Sequence, residues 1–237
     1  MTIYDLQRRR DAILSPDFDG RGRGRAAAPP VGVLALQGDF REHRVVLESL
    51  GAPSVEVRRP EQLTGLSGLV IPGGESTTIG KLMRHYGLIE PIRELGRDGL
   101  PIYGTCAGLI VLASGIAEGD EPHLALMDIV ARRNAFGRQV QSFEADLDVS
   151  LLGPPPLRAV FIRAPWIESS GPGVEILASW QGHAVAARQG RLLATAFHPE
   201  LTGDTRMHDA FLTMVRAAAT STRATGGAGA PREEVVS

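Results

Sequence analysis

The chain predicts a single α/β domain: three layers, α/β/α, around a mainly parallel central sheet. Residues 31–36, 55–57, 69–71 and 101–103 are short apolar runs of the kind that form strands buried on both faces. Helix-spaced segments separate them, and parallel strands need such crossovers. A chain of 237 residues has room for one full core.

The elements follow in order. After the first strand, Asp39 can cap a helix that runs to Leu50 and is closed by Gly51. Apolar residues recur at helical spacing through Ile79, Leu82, Met83, Tyr86, Ile89, Ile92 and Leu95, which predicts one helix over residues 78–95. The strand at 101–103 leads into a sharp turn at Cys106 and an apolar helical run over 109–113. In the second half, residues 157–162, 174–180, 183–187 and 192–197 look like strands of a hairpin-rich region, with Pro154-Pro155-Pro156 as an exposed connection. Met207, Ala210, Phe211 and Met214 form the apolar face of a last helix. The expected organisation is a disordered extension over 1–30, the domain over 31–218 and a flexible tail over 219–237. The extension carries six arginines and four aspartates but no apolar signal core, so a disordered segment or an upstream mis-assigned start is expected.

Composition excludes several classes. The single cysteine rules out an internal disulfide, and no apolar stretch approaches the roughly 20 residues that span a bilayer. A cytoplasmic protein is expected. The net charge of −2 gives no electrostatic case for nucleic acid. Lys81 is the only lysine, and its helical setting predicts a solvated face. Imine chemistry with a sugar phosphate needs a lysine amine, so any such step is expected on another chain.

Three segments carry chemistry. Tyr103-Gly104-Thr105-Cys106-Ala107-Gly108 ends a strand and opens a helix, a turn that exposes a nucleophile and sets the next backbone N–H beside it. A thiol needs a base, and Phe197-His198-Pro199-Glu200 supplies an imidazole with a carboxylate two residues on. In an extended chain, positions i and i+2 share a side about 6.5–7 Å apart, which lets Glu200 reach the far nitrogen of His198. The other histidines, His43, His85, His123, His183 and His208, have no such context in sequence. Ile71-Pro72-Gly73-Gly74-Glu75-Ser76 follows a strand, and Gly73-Gly74 can aim amides into a cleft while a hydroxyl residue caps the next helix. With the Ala107 amide they would form an oxyanion hole, a feature worth about 10²–10³ in rate.

In this order, Pro-Gly-Gly-Glu-Ser, Gly-Thr-Cys-Ala-Gly-Leu and Phe-His-Pro-Glu resemble the triad-type (class I) glutamine amidotransferases, whose sheet is flavodoxin-like. Val33-Leu34-Ala35-Leu36-Gln37-Gly38-Asp39, Arg133-Asn134-Ala135-Phe136-Gly137-Arg138-Gln139 and Phe161-Ile162-Arg163-Ala164-Pro165 are similar to one branch, the glutaminase subunits of pyridoxal 5′-phosphate synthases. The resemblance runs from about 31 to 217. It implies hydrolysis of L-glutamine, with ammonia passed to a (β/α)₈-barrel synthase subunit in a large hetero-oligomer. It further implies Cys106 as nucleophile, His198 as base and then acid, and Glu200 as its orienter, with Gly73, Gly74 and Ala107 at the oxyanion. Glutamine would be held by Gly74, Glu75, Ser76, Arg133, Ile162 and Arg163, and no metal or cofactor is implied. Family members commonly have Glu-Arg-Asn-Ser where this chain reads Arg132-Arg133-Asn134-Ala135, which keeps the arginine and adds a charge beside it.

A free-standing cysteine hydrolase on the same fold and a catalytically silent scaffold subunit are the competing readings. Activity on peptides would favour the first, and a missing triad member would favour the second. Removal of residues 1–29 is expected to leave glutamine turnover unchanged in a steady-state assay, and a substantial loss would give the extension a role.

Overall fold

The computed structural model describes residues 28–136 and 142–225, so all but the last three residues of the extension expected over 1–30, and the last part of the expected tail, lie outside the described residues. The elements are β1 (Val31–Leu34), α1 (Phe40–Ser49), β2 (Ser54–Val57), β3 (Gly68–Ile71), α2 (Ser76–His85), α3 (Ile89–Arg97), β4 (Ile102–Thr105) and α4 (Ala107–Leu112). They continue as β5 (Ala113–Ile116), β6 (Met127–Arg132), β7 (Ser142–Leu147), β8 (Leu157–Ile162), β9 (Trp166–Ser170), β10 (Glu175–Trp180), β11 (His183–Gln189), β12 (Leu192–Thr195) and α5 (Arg206–Thr225).

The main sheet runs β2-β1-β3-β4-β12-β11-β9-β6-β5, with β10 on β11 and a separate β7-β8 pair. Its first five strands are parallel and have the 2-1-3-4-5 order of flavodoxin-like sheets. Beyond β12 the pairings of β11, β9 and β6 are antiparallel, and β5 returns parallel to β6. The architecture is the predicted α/β one, a mixed sheet with flanking helices. The burial pattern explains the division. Every residue of β1, β3, β4 and β12 is buried, as expected for strands covered on both faces, whereas β6 alternates.

Several elements differ from the sequence expectation. The single helix expected over 78–95 is two, because Gly87 turns the chain at φ +68 between α2 and α3, and Tyr86 is left exposed. The apolar run expected to stay helical to 113 switches to β5 there. α5 continues past 218 to Thr225, beyond the expected end of the domain. Lys81 is exposed on α2, as its position predicts.

Two glycines let α4 sit close to the sheet. A Cβ on Gly108 would lie 2.1 Å from the Ile71 carbonyl oxygen, and one on Gly104 would lie 2.5 Å from the Gly108 oxygen. Histidines also occupy core positions. His43, Val46 and Leu47 on α1, and His208, Phe211, Leu212 and Val215 on α5, follow the i, i+3, i+4 spacing and are buried. Burial pushes the His208 pKa from its ordinary 6.5 down to about 3.

Gly108→Ala is expected to cost about 1–3 kcal/mol in urea unfolding, because overpacking against a backbone carbonyl outweighs the gain in helix propensity; a stabilised variant would contradict the close approach. A ring kept neutral in the fold contributes stability that is present above its unfolded pKa and is lost as pH falls towards the folded one. Wild-type chain should therefore lose more stability than His208→Phe between pH 6.5 and pH 3, and parallel losses in the two would contradict the buried neutral ring.

Candidate active site

Cys106 occupies the junction of β4 and α4 with φ +48 and ψ −102, a conformation that L residues rarely adopt. Such strain costs about 1–3 kcal/mol and persists only where neighbours fix it. Here the Cys106 N–H donates to the Thr195 carbonyl at 2.7 Å, and the Leu109 N–H donates to the Cys106 carbonyl at 3.2 Å. The sulfur lies 3.9 Å from the Ile162 carbonyl oxygen. Ala107 opens α4, so its N–H has no partner within the helix.

His198 and Glu200 follow β12 at the same end of the sheet. The sequence expectation of an extended pair is not met: Pro199–Leu201 forms a 3₁₀ turn, which the fixed φ of Pro199 favours. The turn brings His198 Nδ1 to 2.7 Å from Glu200 Oε1, so the two are partners through a different local geometry. The His198 N–H is tied to the Val160 carbonyl at 2.8 Å. Burial opposes a charge on His198, but the nearby Cys106 sulfur and the Glu200 carboxylate, which is hydrogen-bonded to the ring, hold its pKa well above the ordinary value. Burial raises Glu200 and the facing His198 offsets part of that rise. Asp39 Oδ2 is 3.6 Å from the same nitrogen. Asp39, His198 and Glu200 offer ligand-type atoms within 4.8 Å of one another, but Nδ1 already holds a hydrogen-bond distance to Glu200.

Gly73 packs on His198, where a Cβ would lie 2.4 Å from Cε1. The Gly73 carbonyl accepts from the Asp39 N–H at 3.3 Å, so the trans peptide turns the Gly74 N–H the opposite way. Gln37 Oε1 accepts from the Glu75 N–H at 2.7 Å. The cap of α2 is Glu75 itself rather than the expected hydroxyl residue, because its carboxylate accepts from the Thr77 and Thr78 N–H groups. Burial would raise Glu75, but hydrogen bonds from Thr78 and Thr77 outweigh it and hold the carboxyl down at about 2.

Cys106, Ala107, Gly74, Glu75, Ser76, Arg133, Ile162 and Arg163 all line one cleft of about 100 Å³. Gly73 lies beside it, under His198. Arg133 pairs with Asp120, while its Nε is buried without a partner. Arg132 is engaged elsewhere, 2.7 Å from Glu168, which neutralises the extra charge seen in sequence. The Ala135 N–H donates to the Ala164 carbonyl and ties the arginine loop to the Arg163 loop, where Arg163 sits at φ +44. A larger cleft of about 500 Å³ near Arg84, Glu90 and His123 contains no nucleophile. In sequence Asp39 is only a helix cap, yet at the N-cap of α1 its side chain makes no capping bond, and His43 and His208 have no catalytic context there. The signal for the two histidines was their place on helical core faces, and for Asp39 its position just after β1 at the functional end of the sheet. Residues 137–141 of the arginine motif lie outside the described residues.

A thiol and backbone amides in one cleft, with a carboxylate-oriented imidazole packed on the Gly73 turn beside it, are groups that can carry out acyl transfer. Among the described residues, no helix is long and apolar enough to cross a membrane. The pyridoxal 5′-phosphate synthase subunit PdxT of Pelotomaculum thermopropionicum is 64% identical over 182 residues, covering 77% of this chain and 93% of that protein. The same subunit of Moorella thermoacetica is 57% identical over 185 residues, covering 78% and 98%. A solved glutamine amidotransferase structure matches with a TM-score of 0.75 and 52% identity over 78% of this chain and 98% of its own. The model of the SNO glutamine amidotransferase family matches residues 33–217, and the chain belongs to that family.

Proposed function

We propose that this chain is the glutaminase subunit of a pyridoxal 5′-phosphate synthase. It hydrolyses L-glutamine to L-glutamate and delivers the ammonia to a synthase subunit that builds the cofactor from a pentose phosphate and a triose phosphate. The observation that supports the reading is that Cys106 lines the same cleft as Arg133, while His198, paired with Glu200 at 2.7 Å, packs on the Gly73 turn next to it. Near-full-length similarity to subunits that bear this name supports the partner.

The chemistry runs in two halves. His198 takes the Cys106 proton and the thiolate attacks the side-chain amide carbon of glutamine. The resulting oxyanion is met by amides of Ala107 and of the Gly73-Gly74 turn. His198 then gives its proton to the departing nitrogen, which leaves as ammonia and a γ-glutamyl thioester on Cys106. In the second half His198 activates water, the thioester is hydrolysed, and glutamate departs with the thiol restored. Glu200 keeps the imidazole in the tautomer and orientation both halves need.

The substrate's α-carboxylate falls to Arg133, whose buried and unpartnered Nε leaves a donor to satisfy. Glu75 contributes through its backbone, since its carboxylate is spent on the α2 cap. Gly74, Ser76, Ile162 and Arg163 supply the remaining walls. Lys81, the single lysine, sits on α2 away from the cleft's lining, so imine formation belongs to the (β/α)₈ partner. The subunit would work in the cytoplasm, within a large hetero-oligomer.

The test is ammonia and glutamate release from L-glutamine, with and without a pyridoxal 5′-phosphate synthase partner. Release is expected mainly with the partner, and Cys106→Ala should abolish it while leaving the fold and partner binding intact. Glu200→Gln should lower turnover by orders of magnitude. Retained release in Cys106→Ala would refute the triad, and equal release without the partner would refute partner gating.

A further inference from the structure

Behind the His198–Glu200 pair the buried polar groups continue. His43 Nε2 lies 3.4 Å from Glu200 Oε2 and 3.0 Å from Thr105 Oγ1, and His43 Nδ1 lies 2.9 Å from His208 Nε2. Glu200, Thr105 and both histidines are fully buried. Among the described residues, no hydrogen-bond partner in bonding geometry reaches Glu200 Oε2. The groups come from α1, β4, the turn after β12 and α5, so only the tertiary fold brings them together.

Proton counting sets the direction of the chain. An ionised carboxylate only accepts hydrogen bonds. The nitrogen facing Oε2 must therefore carry a proton, since a bare lone pair against a carboxylate is costly in a dry site. A neutral His43 with Nε2–H accepts at Nδ1, so His208 donates through its own Nε2–H. That leaves His208 Nδ1 as a bare acceptor, and it is the ring atom without a partner. The reverse assignment would strand a buried N–H at that position, the rarer kind of orphan. Burial first, then the His208 and His198 charges, keep His43 well below its ordinary pKa, so the ring stays neutral near pH 7.

We infer that His43 is a positioning residue for the triad: its Nε2–H, in a tautomer set by His208 and hydrogen-bonded to Thr105 Oγ1, presents its positive edge to the second oxygen of Glu200 at 3.4 Å, and this electrostatic contact keeps the first oxygen on His198. The inference rests on the triad reading above and deepens it. His43 does not line the substrate cleft. Its effect therefore falls on the proton-transfer steps at His198 and not on glutamine binding.

The experiment measures kcat and KM for L-glutamine in the full chain with its synthase partner, comparing His43→Asn, His43→Gln and Cys106→Ala. An Asn amide can reach only the Nδ1 position, while a Gln amide N–H can stand at Nε2. His43→Asn is expected to lower kcat about tenfold or more with KM changed less than about twofold, and His43→Gln to recover most of that loss. Equal kcat in the Asn and Gln variants, with Cys106→Ala inactive, would overturn the inference and leave the triad standing. Activity retained in Cys106→Ala would remove the triad and the inference with it. Nitrogen-15 spectra of the histidine-labelled wild-type chain give a reading that needs no variant to fold: both His43 and His208 are expected as neutral Nε2–H tautomers, and an Nδ1–H tautomer at His43 would overturn the proposal.

Discussion

The parallel pairing of β4 with its two neighbours is the constraint on which the site depends. Gly104 pairs with Ile71 of β3, and Thr105 pairs with Thr195 of β12. Parallel strands end on the same side, so this register releases the Gly73-Gly74 turn, the Cys106 turn and the His198 turn next to one another. The same pairing holds the Cys106 backbone, whose N–H completes a ladder-like bond to Thr195. A residue at φ +48 would relax if it stood alone. Bonded on the β12 side and packed through Gly108 against the Ile71 carbonyl, it has nowhere to go.

Electrostatics adds a second layer. Glu200 is wholly buried, and an isolated buried carboxylate is costly. It is tolerated because His198 faces one oxygen at 2.7 Å and His43 stands 3.4 Å from the other. Buried pairs of this sort give little net stability and lose much when one partner is removed. Their presence at the end of β12 reads as a cost accepted for chemistry. The aromatic and polar groups behind them, Tyr103 bonded to Thr195 at 3.2 Å and His208 packed on Tyr103, give the network a rigid floor.

Much of this was legible in sequence, for physical reasons that also mark where legibility stopped. Strands β1, β3 and β4 read directly because strands buried on both faces are continuous apolar runs. The break between α2 and α3 was hidden, since apolar spacing persists across the turn at Gly87 even though that residue alone permits it. β5 was hidden because Ala113 continues an apolar run in which helix and strand look alike over a few residues. His198 and Glu200 were paired in sequence on extended geometry, and a 3₁₀ turn delivers the contact instead. His43 and His208 show no catalytic context in sequence because they lie 165 residues apart and only the packed fold brings them together. Glu75 looked like a substrate group beside its glycines, yet its carboxylate is consumed by the helix it caps.

On the proposed mechanism, Cys106 bonds covalently to the substrate during turnover. The most direct measurement is acid quenching of the full chain while it turns over L-glutamine with its synthase partner, followed by mass spectrometry of the proteolytic peptides. The expected result is a γ-glutamyl thioester on the peptide that contains Cys106, the only thiol in the chain. Turnover with no adduct at Cys106, or with an adduct on another residue, would contradict it.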